Sequence, residues 1–386
     1  MFAFWLGREY KLSVAELWAV FPKAVFQYIG DEICILSGVE KASVLKIAPT
    51  LWGTIKIMEL IENYQGNPSE MILEIAQKSQ GKFQYAISVF WQKKDLKRIL
   101  INTKNLLKKS EISSRFVNKD FKNLSSAQII GERLVEKETD FSIIDTKEFE
   151  YFGKSIWVQD IENYGKRDFW KTRDMDIGML PPKLAQMMLH FSGGQKIYDP
   201  FVWLGTVLIE SILMGNSEVY GSDINPEMVQ TAKKNIVFTT QNFSQNLKKY
   251  EIIELDARGI SSSSLLKFSD AIVSEGYLGQ VFQKYSITEK KVSEEREKLL
   301  KIYSDFFFGL KKVNYKWVIV ISFPFWEIRG KYVYFSEVYE LIQKYCKIEH
   351  MLPFHPEVKH TKTGSLLYKR PTQIVGREIY KLTINN

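Results

Sequence analysis

The sequence predicts an α/β protein, and its C-terminal part predicts a nucleotide-binding sheet. The apolar residues 196–198 are typical of a strand that leads into a glycine-bearing loop, residues 199–206. Residues 207–214 have the pattern of a helix, and residues 218–221 that of a second strand, which ends next to Asp223. In such sheets the ligand binds at the carboxyl ends of the strands, where an acidic side chain takes a pair of ribose hydroxyls.

The sequence of the loop at residues 199–206 distinguishes between two classes of nucleotide cofactor. A dinucleotide enzyme needs G-x-G-x-x-G so that its backbone approaches a pyrophosphate, but here an acid and a proline open the turn and Gly205 is its one glycine. We therefore set a nicotinamide dehydrogenase aside. An acid suits a ligand with a positively charged amino-acid end, and S-adenosylmethionine has such an end and lacks a pyrophosphate. Asp199 alone is as typical of a turn or cap residue as of a cofactor-binding residue. The presence of Asp223 at the next strand end favours the cofactor-binding interpretation.

Several segments of the chain point together to one family. They are residues 6–9 (LGRE), 12–17 (LSVAEL), Arg173-Asp174, residues 178–185 (GMLPPKLA), 199–206 (DPFVWLGT), 221–229 (GSDINPEMV) with Asn235, and 368–379 (YKRPTQIVGREI). Together they resemble the THUMP-containing tRNA guanine-N2 methyltransferases, most strongly from about residue 165 to 280. The resemblance implies a Rossmann-like, doubly wound domain at residues 156–386. It would use S-adenosylmethionine to methylate the exocyclic N2 amine of a guanine in tRNA, of the position-10 type.

The N-terminal part of the chain predicts two small α+β units. Residues 1–60 have the βαββαβ order of a ferredoxin-like unit. Strands are predicted at residues 2–6, 33–36 and 53–59, and helices at residues 13–20, with Ser13 as the N-cap, and 39–47. In residues 61–155 we predict helices at 69–78, 93–109 and 125–134 and strands at 83–90 and 111–117, closed by a strand at 155–160. The family carries its RNA-binding THUMP domain here, so the resemblance implies a THUMP-like unit.

The predicted helix at residues 93–109 has an apolar face and a basic face. At about 100° per residue its leucines gather on one side. The other side carries Lys94, Lys97, Arg98, Lys104 and Lys108. Such a stripe would neutralise phosphates on RNA, although a solvated helix face has the same pattern. The neighbouring resemblance favours RNA, so we expect these five residues to contact tRNA.

The resemblance also implies which residues hold the cofactor. A third acid, Asp256, follows the predicted strand at residues 250–253, where methyltransferases receive the adenine amino group; a solvated strand end is the alternative. The expected cofactor-binding residues are Asp199, Pro200, Phe201, Gly205, Thr206, Asp223, Ile224 and Asp256.

An apolar strand at residues 270–273 runs into a turn where amino-methylating enzymes hold the target base. An exocyclic amine on a base is a poor nucleophile, and acceptors that take its hydrogens aim its lone pair at the methyl group while an aromatic ring stacks on the base. Most relatives have D/N-P-P-Y/F here. This chain lacks the prolines, so Gly276 is expected to loosen the turn. The expected catalytic residues are Glu275 as the acceptor, Tyr277 as the stacking ring, and Ser274.

A second departure from the family pattern is Trp203, in a loop that runs D-P-F-x-G-x-G-T in relatives. An indole at this glycine position would fill space that the methionine moiety needs, and it resists a positive φ. Trp91 and Trp170 also stand where glycine is expected. Either the cofactor pocket is partly blocked and the protein is an RNA-binding pseudoenzyme, or these tryptophans stand for UGA codons that the host reads as glycine. The second hypothesis explains three sites at once.

The composition of the chain indicates which class of partner it binds and in which cellular compartment it is found. The chain of 386 residues is 45% hydrophobic and 25% charged, with a net charge of +8, which is typical of a globular protein with a polyanionic partner. Two cysteines, Cys34 and Cys346, exclude a disulfide framework and are expected to be buried thiols in a reducing cytoplasm. His355 and His360 lack a carboxylate or cysteine pattern, so no metal is expected.

We therefore expect a monomeric, cytoplasmic enzyme whose partner is tRNA, with no membrane association. A DNA amino-methyltransferase with the same catalytic core is one alternative. The first 150 residues argue against it, because they resemble a module that reads the end of tRNA. The other alternative is a tRNA-binding protein without catalytic activity.

Overall fold

The computed structural model describes residues 1–61, 64, 66–90, 95–146, 148–160, 180–243, 246–283 and 285–385. The chain divides into two compact units, residues 1–14 with 21–169 and residues 15–20 with 170–386. Within the described ranges, no helix has the length and apolar character needed to cross a lipid bilayer. Cys34 and Cys346 are both buried free thiols, as the sequence predicts.

The described strands of the first unit form one sheet. Its described strands are β1 (Phe2–Leu6), β2 (Val25–Ile29), β3 (Ile33–Ser37), β4 (Thr54–Leu60), β5 (Phe83–Phe90), β6 (Ser114–Phe116), β7 (Asp140–Asp145) and β8 (Glu150–Val158). The described helices in this part of the chain are α1 (Tyr10–Val20), α2 (Lys41–Ile47), α3 (Pro68–Ala76), α4 (Leu96–Lys109) and α5 (Ser126–Gly131).

The strand order of this sheet agrees with the predicted βαββαβ arrangement. The first four strands lie in the order β2-β3-β1-β4, and each is antiparallel to its neighbours. Strand β8 then pairs with β4 and leads through β7 to β5 and β6. The predicted division at residue 60 therefore falls between two strands of one continuous sheet.

The first helix begins earlier than predicted. Helix α1 starts at Tyr10, so the expectation that Ser13 is its N-cap is wrong. Both the N–H and the hydroxyl of Ser13 reach back to the carbonyl of Glu9, at 3.2 and 3.4 Å. A serine inside a helix commonly bonds to the preceding turn in this way, so its hydroxyl is not available for a cap.

Helix α4 has the two faces that its sequence predicts. Its N-cap is Asp95, whose carboxylate accepts from the N–H of Arg98 over 3.2 Å. Leu96, Leu100 and Leu107 are buried against the core of the first unit. The apolar stripe thus fixes which side of the helix packs, and the basic side faces solvent.

The second unit contains the predicted doubly wound sheet. Its described strands are β9 (Lys196–Asp199), β10 (Glu218–Asp223), β11 (Lys249–Glu254), β12 (Ala271–Ser274), β13 (Val318–Ile328), β14 (Lys331–Tyr334), β15 (Cys346–Glu349), β16 (Leu366–Tyr368) and β17 (Val375–Ile384). The described helices are α6 (Pro182–Ser192), α7 (Thr206–Leu213), α8 (Pro226–Asn242), α9 (Glu289–Lys312) and α10 (Ser336–Tyr345).

The order of this sheet is β11-β10-β9-β12-β13-β17-β15. The first five strands are parallel, whereas β17 runs antiparallel between β13 and β15. Every residue of β12 is buried, as expected for a parallel strand covered on both faces. Helix α7 is likewise almost entirely buried, which explains why most of its residues are apolar.

Candidate cofactor and substrate site

Strands β9, β10, β11 and β12 end at the same edge of the second unit's sheet because they are parallel. The chain proceeds from β9 outward to β10 and β11, and then returns to β12 on the other side of β9. Such a reversal of strand order opens a crevice at the carboxyl ends of the strands. The crevice in this protein is a cavity of about 530 Å³, which is within the size range of small-molecule sites.

The cavity is lined by residues that follow all four of these strands. They are Pro200, Phe201, Trp203, Asp223, Ile224, Asn225, Met228, Asp256, Ala257, Arg258, Glu275, Gly276, Tyr277, Leu278 and Gly279, together with Ile302 of α9. Five of the residues expected to bind the cofactor are therefore brought together with two of the three expected catalytic residues.

The carboxylate of Asp223 is fixed at the end of β10 by two backbone amides. Its Oδ1 accepts from the N–H of Asn225 and its Oδ2 from the N–H of Trp203, each over 2.9 Å. Asn225 caps α8 by accepting from the N–H of Glu227 over 2.9 Å. The carboxylate thus joins the loop after β9 to the start of α8, and it is a rigidly held acceptor on the cavity wall.

The loop after β9 has a left-handed backbone at two positions, Trp203 with φ +42° and Gly205 with φ +83°. This region costs a residue with a side chain about 1–2 kcal/mol, whereas glycine occupies it freely. Position 203 therefore has the backbone that suits the family's glycine, yet the indole of Trp203 lies on the cavity wall. Trp91 and Trp170, the other tryptophans at expected glycine positions, lie outside the described residues.

Asp199 lies behind the cavity wall and is 2% exposed. Its Oδ1 accepts from the hydroxyl of Ser274 over 2.7 Å and from the N–H of Phe201 over 3.1 Å. Burial raises the pKa of Asp199 to about 7, and these two hydrogen bonds oppose the rise. Gly205 and Thr206, also expected to bind the cofactor, are buried where α7 begins.

Asp256 follows β11 and holds an arginine against the cavity. Its Oδ1 accepts from the N–H of Arg258 over 2.9 Å, and its Oδ2 accepts from the guanidinium Nε over 2.8 Å. The hydrogen bond from the Arg258 side chain holds the pKa of Asp256 below its ordinary value. The pair therefore presents an ionised carboxylate and a cation at the same part of the wall.

Glu275 lies on the cavity wall after β12, and its carboxylate is paired with Arg377 of β17. The Nε of Arg377 donates to Glu275 Oε1 over 2.5 Å, and the two side chains are 2% and 13% exposed, respectively. Burial raises the pKa of Glu275, whereas the positive charges of Arg377 and Arg370 lower it. The pair fixes an acceptor carboxylate next to the space in which a ligand fits.

Hydroxyl groups hold the turn that carries Glu275. The N–H of Gly276 donates to Ser274 Oγ over 3.1 Å, and the carbonyl of Glu275 accepts from the hydroxyl of Ser322, on β13, over 2.5 Å. Ser274, the third expected catalytic residue, therefore lies beneath the cavity wall. Its hydroxyl links the turn to Asp199.

Gly276 packs tightly against neighbouring atoms. It has φ +72°, and a Cβ at this position would lie 2.6 Å from both the Ser322 carbonyl oxygen and the Tyr303 hydroxyl. That hydroxyl donates to the carbonyl of Tyr277 over 2.8 Å. The expectation that Gly276 loosens the turn is therefore wrong, because side-chain hydrogen bonds hold the backbone where relatives have prolines.

The residues expected to bind RNA belong to the first unit. Lys97, Arg98, Lys104 and Lys108 are exposed on α4, and Lys94 lies outside the described residues. The ammonium groups of Lys97 and Lys104 lie 5.3 and 5.5 Å from the ring centroids of Phe121 and Phe116. Two of these lysines thus lie over aromatic rings, which restricts their side chains while their charges remain at the surface.

Three polar side chains of the site received no role from the sequence. Arg258 stands two residues from Asp256 and could have been found from that spacing alone. Arg377 and Ser322 reach Glu275 from positions 102 and 47 residues away along the chain. For Arg377 the available signal is an arginine within the mostly buried closing strand, where a charge is rare unless it is paired.

Residues 170–275 match the family model described as RMKL-like, methyltransferase domain (UPF0020). The tRNA (guanine(10)-N2)-dimethyltransferase of Methanothermobacter thermautotrophicus is 34% identical over 131 residues, which are 33% of this chain and 34% of that protein. The matched part is thus about a third of the length of this curated relative. Similar solved structures include TrmN of Thermus thermophilus, with TM-score 0.47 and 14% identity over 100% of this chain and 99% of that chain. A possible methylase of Clostridium difficile has TM-score 0.46 and 11% identity over 98% and 97%.

Proposed function

We propose that this protein transfers the methyl group of S-adenosylmethionine to the N2 amine of a guanine in tRNA, because residues 170–275 match the RMKL-like methyltransferase domain. One observation carries the proposal. The carboxylate-bearing residues Asp223, Asp256 and Glu275 come from three strand ends and line one cavity together with Tyr277. Two of these acids suit an adenosyl cofactor, and Glu275 with Tyr277 suits a base that carries an amine.

The cavity residues fit an adenosyl ligand with an amino-acid end. The fixed carboxylate of Asp223 accepts hydrogen bonds from ribose hydroxyls, and Ile224 provides an apolar wall. Asp256, which Arg258 keeps ionised, accepts from an adenine amino group. Asp199, with a pKa of about 7, becomes fully ionised next to an ammonium group, since a nearby positive charge favours the charged form. When bound, the cofactor supplies an electrophilic methyl group on a positively charged sulfur.

Glu275 accepts one hydrogen of the guanine N2 amine, and Arg377 holds its carboxylate in place. The carbonyl of Gly276, which accepts no hydrogen bond from the described residues, takes the other. The N2 lone pair would take up the methyl group that the bound cofactor supplies, and one N2 proton would pass to the carboxylate of Glu275. Tyr277, 45% exposed, stacks on the base and holds it in line for this displacement.

Three observations support tRNA as the substrate. The relative that matches residues of this chain is named for dimethylation of guanine 10 in tRNA. The exposed basic side chains of α4 give the first unit a surface that neutralises phosphates. The net charge of +8 favours the same class of partner.

A tRNA-binding protein without methyl transfer is the second candidate function. The observation that favours it is the indole of Trp203 on the cavity wall, at a position whose left-handed backbone suits glycine. If the indole excludes the cofactor, calorimetric titration with S-adenosylmethionine gives no heat at high micromolar concentration. The codon at position 203 separates a true tryptophan, encoded by UGG, from a UGA codon that the host reads as glycine.

The proposed reaction is tested with radiolabelled S-adenosylmethionine and an unmodified tRNA transcript, followed by mass spectrometry of the nucleosides. Methylation of guanine N2 is expected, and Glu275→Gln, whose amide cannot take up the N2 proton, should lower kcat at least about 100-fold, the lower end of what proton transfer to a positioned side chain contributes. Glu340→Gln, at an exposed position of α10, is the matched control and should leave kcat unchanged. Methylation of duplex DNA and not of tRNA would contradict the proposal.

A further inference from the structure

Three aromatic rings at the surface of the second unit are in mutual contact. The ring centroids of His350 and Phe354 lie 4.9 Å apart, and those of Phe354 and His360 lie 5.5 Å apart with the planes inclined by 23°. Phe354 is 76% exposed, and both histidines are exposed. We call these three residues the ring platform. A single exposed ring is ordinary, but adjoining rings with polar edges form a surface on which nucleobases stack.

The backbone beneath the ring platform is anchored although the rings are exposed. Its buried apolar anchors are Met351, Leu352 and Val358. Pro353 and Pro356 bracket Phe354, and each proline fixes its own φ near −65°. The N–H of Val358 also closes a turn onto the carbonyl of His355 over 3.0 Å. A ring presented by a stiff segment loses little conformational freedom when a ligand binds.

The sheet places the ring platform toward the edge that carries the cavity. Strand β15 is antiparallel to β17, which is antiparallel to β13, so β15 runs in the same direction as the strands whose ends form the cavity. The chain leaves β15 at Glu349 and enters the platform at His350. The same segment later reaches Arg370, whose charge acts on the cavity residue Glu275.

The surroundings of the ring platform are basic. The exposed basic residues of this segment are Lys359, Lys362 and Arg370, and its exposed acid is Glu357. Positive charge next to stacking rings suits a phosphate backbone with an accessible base. A wholly apolar partner would leave these charges without a role.

We infer that the ring platform binds an unpaired nucleobase of the RNA whose guanine enters the cavity, with Phe354 as the stacking ring. Duplex regions offer no free base face to Phe354, so the platform recognises a loop or an unpaired end. The inference rests on the proposed function for its RNA substrate, and it adds a surface outside the cavity that contributes to RNA affinity.

The test measures binding of a fluorescent, unmodified tRNA transcript to the full chain. Phe354→Ala should weaken binding at least about fivefold, the lower end of the loss expected when one base–aromatic stack is removed. Phe354→Trp, which keeps a stacking ring, should bind within about twofold of the wild type. Because Phe354 is 76% exposed, the alanine variant should keep the wild-type unfolding temperature.

Two controls separate the possible failures. Phe308→Ala removes a 57% exposed ring from α9 and should leave tRNA binding unchanged. A fully paired RNA duplex should bind Phe354→Ala and wild type equally. Unchanged tRNA binding by Phe354→Ala, or an equal loss for tRNA and duplex, overturns the inference. If the wild type binds tRNA in this way but transfers no methyl group, the proposed function fails while the platform stands.

Discussion

Replacing Arg377 with methionine removes the cation that accompanies the carboxylate of Glu275 and keeps a chain of similar length. Glu275 is only 13% exposed, and Arg377 is 2% exposed, so water replaces little of the lost charge. Breaking a buried pair from one side leaves an uncompensated charge that costs several kcal/mol. The carboxyl group limits this cost by taking up a proton instead.

Protonation of Glu275 sets an upper bound on the loss of folding stability in Arg377→Met. At pH 7 the free energy of keeping a carboxyl group protonated is about 3.7 kcal/mol, since pH 7 lies about 2.7 pH units above the ordinary glutamate pKa. At pH 5 the same free energy is about 1 kcal/mol. Because the folded-state pKa of Glu275 is raised and rises further in the variant, stability is lost as pH increases. Arg377→Met should therefore be destabilised more at pH 7 than at pH 5.

Urea unfolding at the two pH values measures this difference, and steady-state methyl transfer measures its effect on catalysis. The acceptor must be ionised, so the acid limb of the kcat profile should move to higher pH in Arg377→Met. Adding Glu275→Gln to the variant should remove the pH dependence of the stability loss. Arg296→Met, which breaks a more exposed pair with Glu337, should cost less than about 1 kcal/mol at either pH.

A loss of stability that does not depend on pH would refute this account of the Glu275–Arg377 pair. If the stability loss in Arg377→Met is the same at pH 5 and pH 7, Glu275 does not change its protonation state and Arg377 contributes only packing. If stability follows the predicted pH dependence but the acid limb of kcat does not move, Glu275 is not the ionised acceptor of the amine.

Three further predictions concern the same cavity. Burial raises the pKa of Asp199 to about 7, so the stability that this carboxyl group contributes is complete below about pH 4 and is lost as the pH rises through 7. Asp199→Asn does not titrate, and its free energy of unfolding should therefore rise relative to that of the wild type, by up to about 4 kcal/mol between pH 4 and 8. Urea unfolding measures this difference. Trp203→Gly removes the indole and the strained φ of +42°, and calorimetry should show S-adenosylmethionine binding at least about tenfold tighter; weaker binding would mean that the indole supports the ligand. Gly276→Ala places a Cβ 2.6 Å from two oxygens at φ +72° and should cost about 1–3 kcal/mol by thermal unfolding, whereas Gly131→Ala, with nothing within 4 Å, should not.

The parts of the fold that the sequence predicts are those with local signals. Strand β5, at residues 83–90, was predicted with its observed limits because aromatic and β-branched residues, which favour strands, dominate this stretch. The order of elements around Asp199 and Asp223 follows in the same way from short strands that alternate with a helix. Ser13 was wrongly predicted as an N-cap because a serine has the same local appearance whether it starts a helix or bonds backward within one.

Only some residues of the site were predictable from the sequence, and there is a physical reason why the others were not. Asp223, Asp256 and Glu275 could be identified because each follows a recognisable strand, and parallel strands bring their ends to one edge. The position of Asp199 behind the wall depends on its hydrogen bond to Ser274, 75 residues away along the chain. No local pattern carries such a pairing, and the same holds for Arg377 at Glu275.

The C-terminal segment from His350 to Arg377 joins the two proposals. Within one unit it supplies the ring platform, then Arg370, and finally the cation that pairs with Glu275. The effects of these residues should nevertheless separate, because Phe354 acts on RNA before the chemical step and Arg377 acts on the acceptor during it. Phe354→Ala should raise KM for tRNA with kcat largely kept, whereas Arg377→Met should lower kcat at pH 6 and recover part of it at higher pH. If both variants change KM and kcat in the same proportion at every pH, the segment has only a structural role.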